Sequence, residues 1–136
     1  FPVRPIPRKN LELGIKIVEG IKNELFRRGS LKRVTAMFTH PAGDEGYDYW
    51  YKLQKDIKSR GVNVIDINRS PYHGNKRINL SYAYLAADMV VYPSIWEGWG
   101  NVLVESFYYR KPVLVYPYSV YLSDIKPRGT RCIEIN

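Results

Sequence analysis

Glu97-Gly98-Trp99-Gly100-Asn101-Val102-Leu103-Val104-Glu105 is the stretch on which the reading of this 136-residue chain turns. Before it stands an apolar run, Met89-Val90-Val91-Tyr92, closed by Pro93-Ser94, which reads as a buried strand and its stop. After it come Ser106 to Arg110, then Lys111-Pro112 and a second apolar run, Val113-Leu114-Val115-Tyr116. Strand, glycine-bearing turn, short helix and strand make one βαβ unit. Its turn falls at the carboxyl end of the strand, where open parallel sheets bind their ligands. Gly98 and Gly100 let the backbone approach a ligand closely, and Asn101 is placed to cap the helix that follows. Free N–H groups at such a helix start form an anion site.

Two carboxylates flank this turn: Glu97 within it, and Glu105 in the first turns of an otherwise apolar helix. A carboxylate repels phosphate but accepts hydrogen bonds from hydroxyls. An anion-binding turn between two carboxylates therefore suits a ligand with phosphates in the middle and polyols on either side, as in a nucleotide sugar. The plain structural alternative is that Glu105 complements the helix dipole while Glu97 is a solvated loop residue.

With its glycines, the pair fits an E-x7-E pattern, and in this the chain resembles the retaining group-one (family 4) glycosyltransferases. Tyr82-Ala83-Tyr84-Leu85-Ala86-Ala87-Asp88, followed by MVVYPSIWEGWGNVLVES, is similar to that family's approach to its carboxylates. Val3-Arg4-Pro5-Ile6-Pro7-Arg8-Lys9-Asn10 resembles its Arg-x4-Lys element between first strand and first helix. The resemblance implies that residues 1–136 are the C-terminal, donor-binding half of a GT-B enzyme, a three-layer, doubly wound parallel α/β fold. The acceptor-binding domain and the closing helices would then lie outside these residues.

The same resemblance implies roles. Arg4 and Lys9 would stabilise the departing nucleoside diphosphate, with Arg8 next door but off the pattern. Glu97 would lie beside the sugar and diphosphate, Gly98, Trp99, Gly100 and Asn101 would line the donor, and Glu105 would bind the ribose hydroxyls. Asn68 and Arg69, in the polar loop 68–75, would border the nucleobase. The implied reaction is front-face substitution, in which the leaving diphosphate helps to deprotonate the acceptor. It needs no metal on the diphosphate and no cofactor beyond the nucleotide-sugar substrate. One departure stands out: Tyr118-Ser119-Val120-Tyr121 occupies a place where a glycine-rich run is expected.

The rest of the chain agrees with one globular α/β domain. Apolar content is 45%, and no apolar run approaches the length of a membrane span. No signal peptide is apparent, and the first residues read as the start of a strand cut from something longer. One cysteine, Cys132, excludes an intrachain disulfide and makes a reducing cytosol the natural compartment. Residues 1–33 carry +6 of the net charge of +8, so they attract polyanions: a nucleotide, or the inner face of an anionic membrane touched peripherally. Hydrophobic periodicity predicts strands near 1–4, 33–39, 62–67, 89–92, 112–116 and 131–135, alternating with helices at 10–28, 46–60, 78–87, 101–109 and 120–126. Gly29 is the expected C′ residue of the first helix and Asp44 the expected N-cap of the second. Strands that read as continuous β-branched runs argue for a parallel sheet covered on both faces.

Other readings stay open at this point. A nucleotide-sugar epimerase would want acid/base residues in the crevice, and only His40 offers itself; a lone histidine is more often structural. The cluster Tyr47, Tyr49, Trp50 and Tyr51 reads as packing. A non-catalytic nucleotide or phosphosugar module would share the site without turnover. Nucleic-acid binding comes last, because the element order holds no helix-turn-helix and no RNA-binding signature.

Overall fold

Leu11, Ile15 and Val18 recur at helical spacing, and all three are buried along helix α1 (Leu11–Arg27). The helix stops where the sequence supplies a left-handed residue. Gly29 has φ 71°, its N–H donates to the Phe26 carbonyl, and the N–H of Ser30 donates to that of Leu25, so two end carbonyls are satisfied. The computed structural model describes residues 1–43, 46–67 and 79–135. Among these, the elements after α1 are β1 (Thr35–Phe38), α2 (Tyr47–Ser59), β2 (Asn63–Asp66), α3 (Leu80–Ala86) and β3 (Val90–Tyr92). Then follow α4 (Asn101–Tyr108), β4 (Val113–Val115), a π-helical turn at Tyr121–Ile125, a 3₁₀ turn at Lys126–Arg128, and β5 (Ile133–Glu134).

Every strand pair is parallel, as alternating strands and helices require. Thr35 lies opposite Asn63 in the β1–β2 pair, Val90 opposite Val113 in β3–β4, and Leu114 opposite Ile133 in β4–β5. The α/β plan read from the sequence is therefore the plan of the molecule. The sheet comes in two pieces, β1–β2 and β3–β4–β5. Val90, Val91 and Tyr92 are all buried, whereas the edge strands β2 and β5 leave Ile65 and Ile133 exposed, so coverage on both faces holds for β3 and not for the edges. The edges of β1 and β3 bound an apolar groove of about 670 Å³ lined by Ala36, Met37, Leu80, Val90 and Val91, and the carboxylate turn takes no part in it.

Three expectations need correction. Residues 1–4 form no strand: Pro2 and Pro5 have no N–H for a ladder, and the N–H of Ile6 turns back to the Arg4 carbonyl at 3.0 Å. Phe1 nevertheless lies alongside β1, its main-chain nitrogen donating to the Met37 carbonyl at 2.9 Å. The expected helix at 120–126 is helical but irregular: α-helical at Ser119 and Val120, it widens into a π turn that buries Tyr121 and Ile125 and tightens into the 3₁₀ turn that holds Pro127. The residue flanking α2 is Gly46, while Asp44 lies outside the described residues.

Candidate functional site

Strand β3 delivers Tyr92, Pro93 and Ser94 into the interior, and Pro93 releases the chain from the sheet. The turn that follows is laced to the loop before α1. The N–H of Ile95 donates to the Arg8 carbonyl at 3.0 Å, and Arg8 Nη1 returns bonds to the Trp96 carbonyl at 3.1 Å and to Glu97 Oε2 at 3.2 Å. The Arg8 guanidinium also lies over the Trp96 ring, 5.5 Å from its centroid. On the other side, the 3₁₀ turn Pro7–Lys9 and the left-handed Asn10 (φ 50°) aim Lys9 inward. Its Nζ donates to Glu97 Oε1, and this ion pair is buried, with Lys9 8% and Glu97 7% exposed.

Burial pushes the Glu97 carboxyl up, but hydrogen bonds from Lys9 and the surrounding hydroxyls outweigh it and hold the group below the usual carboxylate range. Burial lowers Lys9, and Arg8 and Arg4 add to that, against the restoring pull of Glu97. The Ser94 hydroxyl is wholly buried and has no hydrogen bond of good geometry, although it lies close enough to Glu97 and Tyr92 to act on both. Arg4 is an exposed cation within electrostatic reach of Lys9 and His40.

The turn enters α4 through Gly100, at φ 94° and ψ 56°. A Cβ there would overlap the hydroxyl of Tyr118, which donates to the Trp99 carbonyl at 3.2 Å and packs edge-on to Tyr92. The Leu103 N–H donates to the Gly100 carbonyl at 2.8 Å, which leaves Asn101 and Val102 as the α4 amides ahead of the intrahelical ladder. One helical turn further, Glu105 Oε2 accepts a 2.7 Å bond from the Tyr84 hydroxyl of α3. His40, at the carboxyl end of β1, is pushed below its ordinary value by burial; Glu105 pulls it up, while Arg4 and Lys9 push it further down. The described residues thus bring Arg4, Arg8, Lys9 and His40 to one crevice with Glu97 and Glu105. They contain no group of three or more His, Cys, Asp or Glu side chains arranged for a metal ion.

The sequence profile of the glycosyl transferases group 1 matches residues 4–134. This chain belongs to that family. Among curated proteins, it is similar to the mannosylglucosylglycerate synthase of Thermotoga maritima, 33% identical over 94% of this chain and 31% of that protein. It is also similar to the protein of the same name from Petrotoga mobilis, 31% identical over 97% of this chain and 34% of the relative. The chain therefore spans about a third of the length of these curated relatives. No solved structure matches.

Seen as a group 1 glycosyl transferase, the chain places its sequence-predicted residues unevenly. Lys9 and Glu97 touch, Arg4 borders them, and Glu105 faces the same crevice. Gly98, Trp99 and Asn101 are exposed around the turn. Asn101 does not cap α4: it is the first helical residue, and the flanking position is taken by Gly100 with no side-chain bond. Asn68 and Arg69 lie outside the described residues. Arg8, off the family pattern, proves to be the residue that ties the turn down. Tyr84 and Ser94 escaped the sequence reading because a tyrosine in an apolar helix and a serine after a proline carry no spacing signal. The tyrosine cluster divides, with Trp50 buried and Tyr47 and Tyr51 exposed.

Proposed function

We propose that residues 1–136 form the donor-binding half of a retaining, family 4 glycosyltransferase of the GT-B fold, which moves a hexose from a nucleoside diphosphate sugar. The observation that carries this reading is the buried Lys9–Glu97 pair, with Arg4 within electrostatic reach of Lys9 and the start of α4 following in the same turn. Glu97 holds the lysine. A diphosphate arriving between Arg4, Lys9 and those amides offers the ammonium a more highly charged acceptor. Glu97 is then released to take hydroxyls of the sugar, and Glu105 accepts from the ribose.

As the glycosidic bond breaks, negative charge grows on the leaving diphosphate, and the same cations stabilise it more strongly than they stabilise the bound donor. Because the protein's own cations and amides cover the phosphates, binding is metal-independent in this reading. Mannose is the first sugar to test, since the product named for the relatives contains it. The acceptor and the second wall of the crevice belong to the part of the protein outside this third. A nucleotide-sugar turnover assay on the whole protein tests the reading. Release of free nucleoside diphosphate only when an acceptor is present supports it. Interconversion of one nucleotide sugar into another without acceptor would favour the epimerase, with His40 as its acid/base group.

A further inference from the structure

Glu105 stands mid-helix on α4, where a glutamate has three free torsions and no packing reason to face the crevice. Tyr84, on α3, supplies the constraint. Its ring is buried, 3% exposed, and stacks on Tyr109 with centroids 5.0 Å apart and planes 9° from parallel. Tyr109 is fixed in turn, its hydroxyl donating to Ser81 Oγ at 2.6 Å, while the Ser81 N–H donates to Asn79 Oδ1 at 2.9 Å. The two helices are thus clamped through an aromatic pair, and the clamp ends in one hydroxyl pointed at Glu105 Oε2.

We propose that Tyr84 is a positioning residue for ribose recognition: it holds the Glu105 carboxylate in the rotamer that leaves Oε1 to accept from the ribose diol. The hydroxyl keeps its proton throughout the working range, because burial and then the neighbouring Glu105 push its ionisation far up, so it has a proton to donate to the carboxylate. A carboxylate with one oxygen already engaged and its plane fixed is pre-organised, so ligand binding need not order it. A 2′-deoxyribose, which lacks one of the two hydroxyls, would leave part of that acceptor capacity unmet. The site should therefore prefer ribonucleoside over 2′-deoxyribonucleoside diphosphates, and Tyr84 should set the size of that preference.

This inference rests on Glu105 being the ribose acceptor, and the experiment separates the two. Titration calorimetry measures inorganic pyrophosphate, whichever of ADP, GDP and UDP binds tightest, and the 2′-deoxy form of that nucleotide. The proteins compared are wild type, Tyr84→Phe, Glu105→Gln, the double variant and Tyr109→Phe. Tyr84→Phe keeps the stacked ring and removes only the donor. It should weaken the ribonucleotide about 5- to 10-fold, the range of one hydrogen bond, with pyrophosphate unchanged and the ribose preference reduced. The double variant should be no worse than Glu105→Gln alone, since both remove one coupled unit. Tyr109→Phe should leave the preference intact.

If Glu105→Gln abolishes the preference and Tyr84→Phe does not, Tyr84 is not the positioning residue, although Glu105 keeps its role. Additive losses in the double variant, or equal weakening of pyrophosphate by Tyr84→Phe, overturn the inference as well. If neither variant changes the preference, both assignments fall together.

Discussion

Gly100 sits at φ 94° with the Tyr118 hydroxyl occupying the space a Cβ would need, whereas a Cβ on Gly98 would meet open space. The two glycines of one motif therefore fail differently when changed. Gly100→Ala should cost more than about 1 kcal/mol in a thermal or denaturant melt, since the left-handed backbone alone costs roughly that much and the tyrosine must also move. Gly98→Ala should stay within about 0.5 kcal/mol of wild-type stability, as an exposed substitution does, yet weaken nucleotide-sugar binding where the backbone must approach the donor. Loss of stability in Gly98→Ala, or unchanged binding, would put the ligand elsewhere. At this scale the resemblance to the family singled out Lys9 and Glu97, which the structure pairs, and set Arg8 aside as off the pattern; yet three side-chain contacts with the turn make Arg8→Ala a loosening substitution. It should raise the apparent dissociation constant for the donor, and melts should show only a small loss, because Arg8 is largely exposed and its charge pair is screened.

Between elements, the account rests on the loop before α1 meeting the turn after β3. Hydrophobic periodicity made the alternation of strands and helices readable, and parallel topology puts the turn after β3 at a carboxyl edge. Details decided by competing backbone bonds were not readable: the proline-rich start that replaces a strand, the π turn, and Gly100 rather than Asn101 before α4. The Lys9–Glu97 pair that joins the loops gives a pH signature. Glu97 binds its proton more weakly in the folded state, so its contribution is complete above its ordinary value of 4.5 and is lost as pH falls through the lower folded value. Lys9 is also lowered, so the folded state gives up that proton more readily; this cost eases only on the alkaline side, toward 10.5. Melting curves taken below pH 4.5 should therefore fall more steeply for wild type than for Glu97→Gln. Parallel slopes would mean that the pair contributes nothing to acid stability. Breaking it from the other side, by Lys9→Ala, leaves a buried carboxylate without its closest cation and should cost about 3–5 kcal/mol in a denaturant melt.

For the molecule as a whole, the charge that the sequence concentrates in residues 1–33 is partly spent internally: Arg27 and Arg28 both bind Glu24, and Lys9 binds Glu97. Around the turn Arg4, Arg8 and Lys9 outnumber Glu97 and Glu105, a net positive setting that attracts a diphosphate. Because the chain is about a third of its relatives' length, residues 1–136 alone should bind donor yet transfer little sugar. Positioning of the acceptor, worth about 7–11 kcal/mol of barrier, would come from the other wall. Acceptor-dependent transfer by residues 1–136 at the whole protein's rate would refute that division. The central claim, that Arg4, Lys9 and the turn hold a nucleoside diphosphate, is tested most directly by titration calorimetry of ADP, GDP and UDP with chelator present, comparing wild type with Arg4→Ala. Arg4 is exposed, and melting curves of Arg4→Ala run beside the titration separate a loss of binding from a loss of fold. The account predicts that at least one nucleotide binds with chelator present, that Arg4→Ala lowers its affinity by about 1.5–3 kcal/mol, and that the salt dependence flattens. Binding that vanishes with chelator, or that Arg4→Ala leaves unchanged, would contradict it.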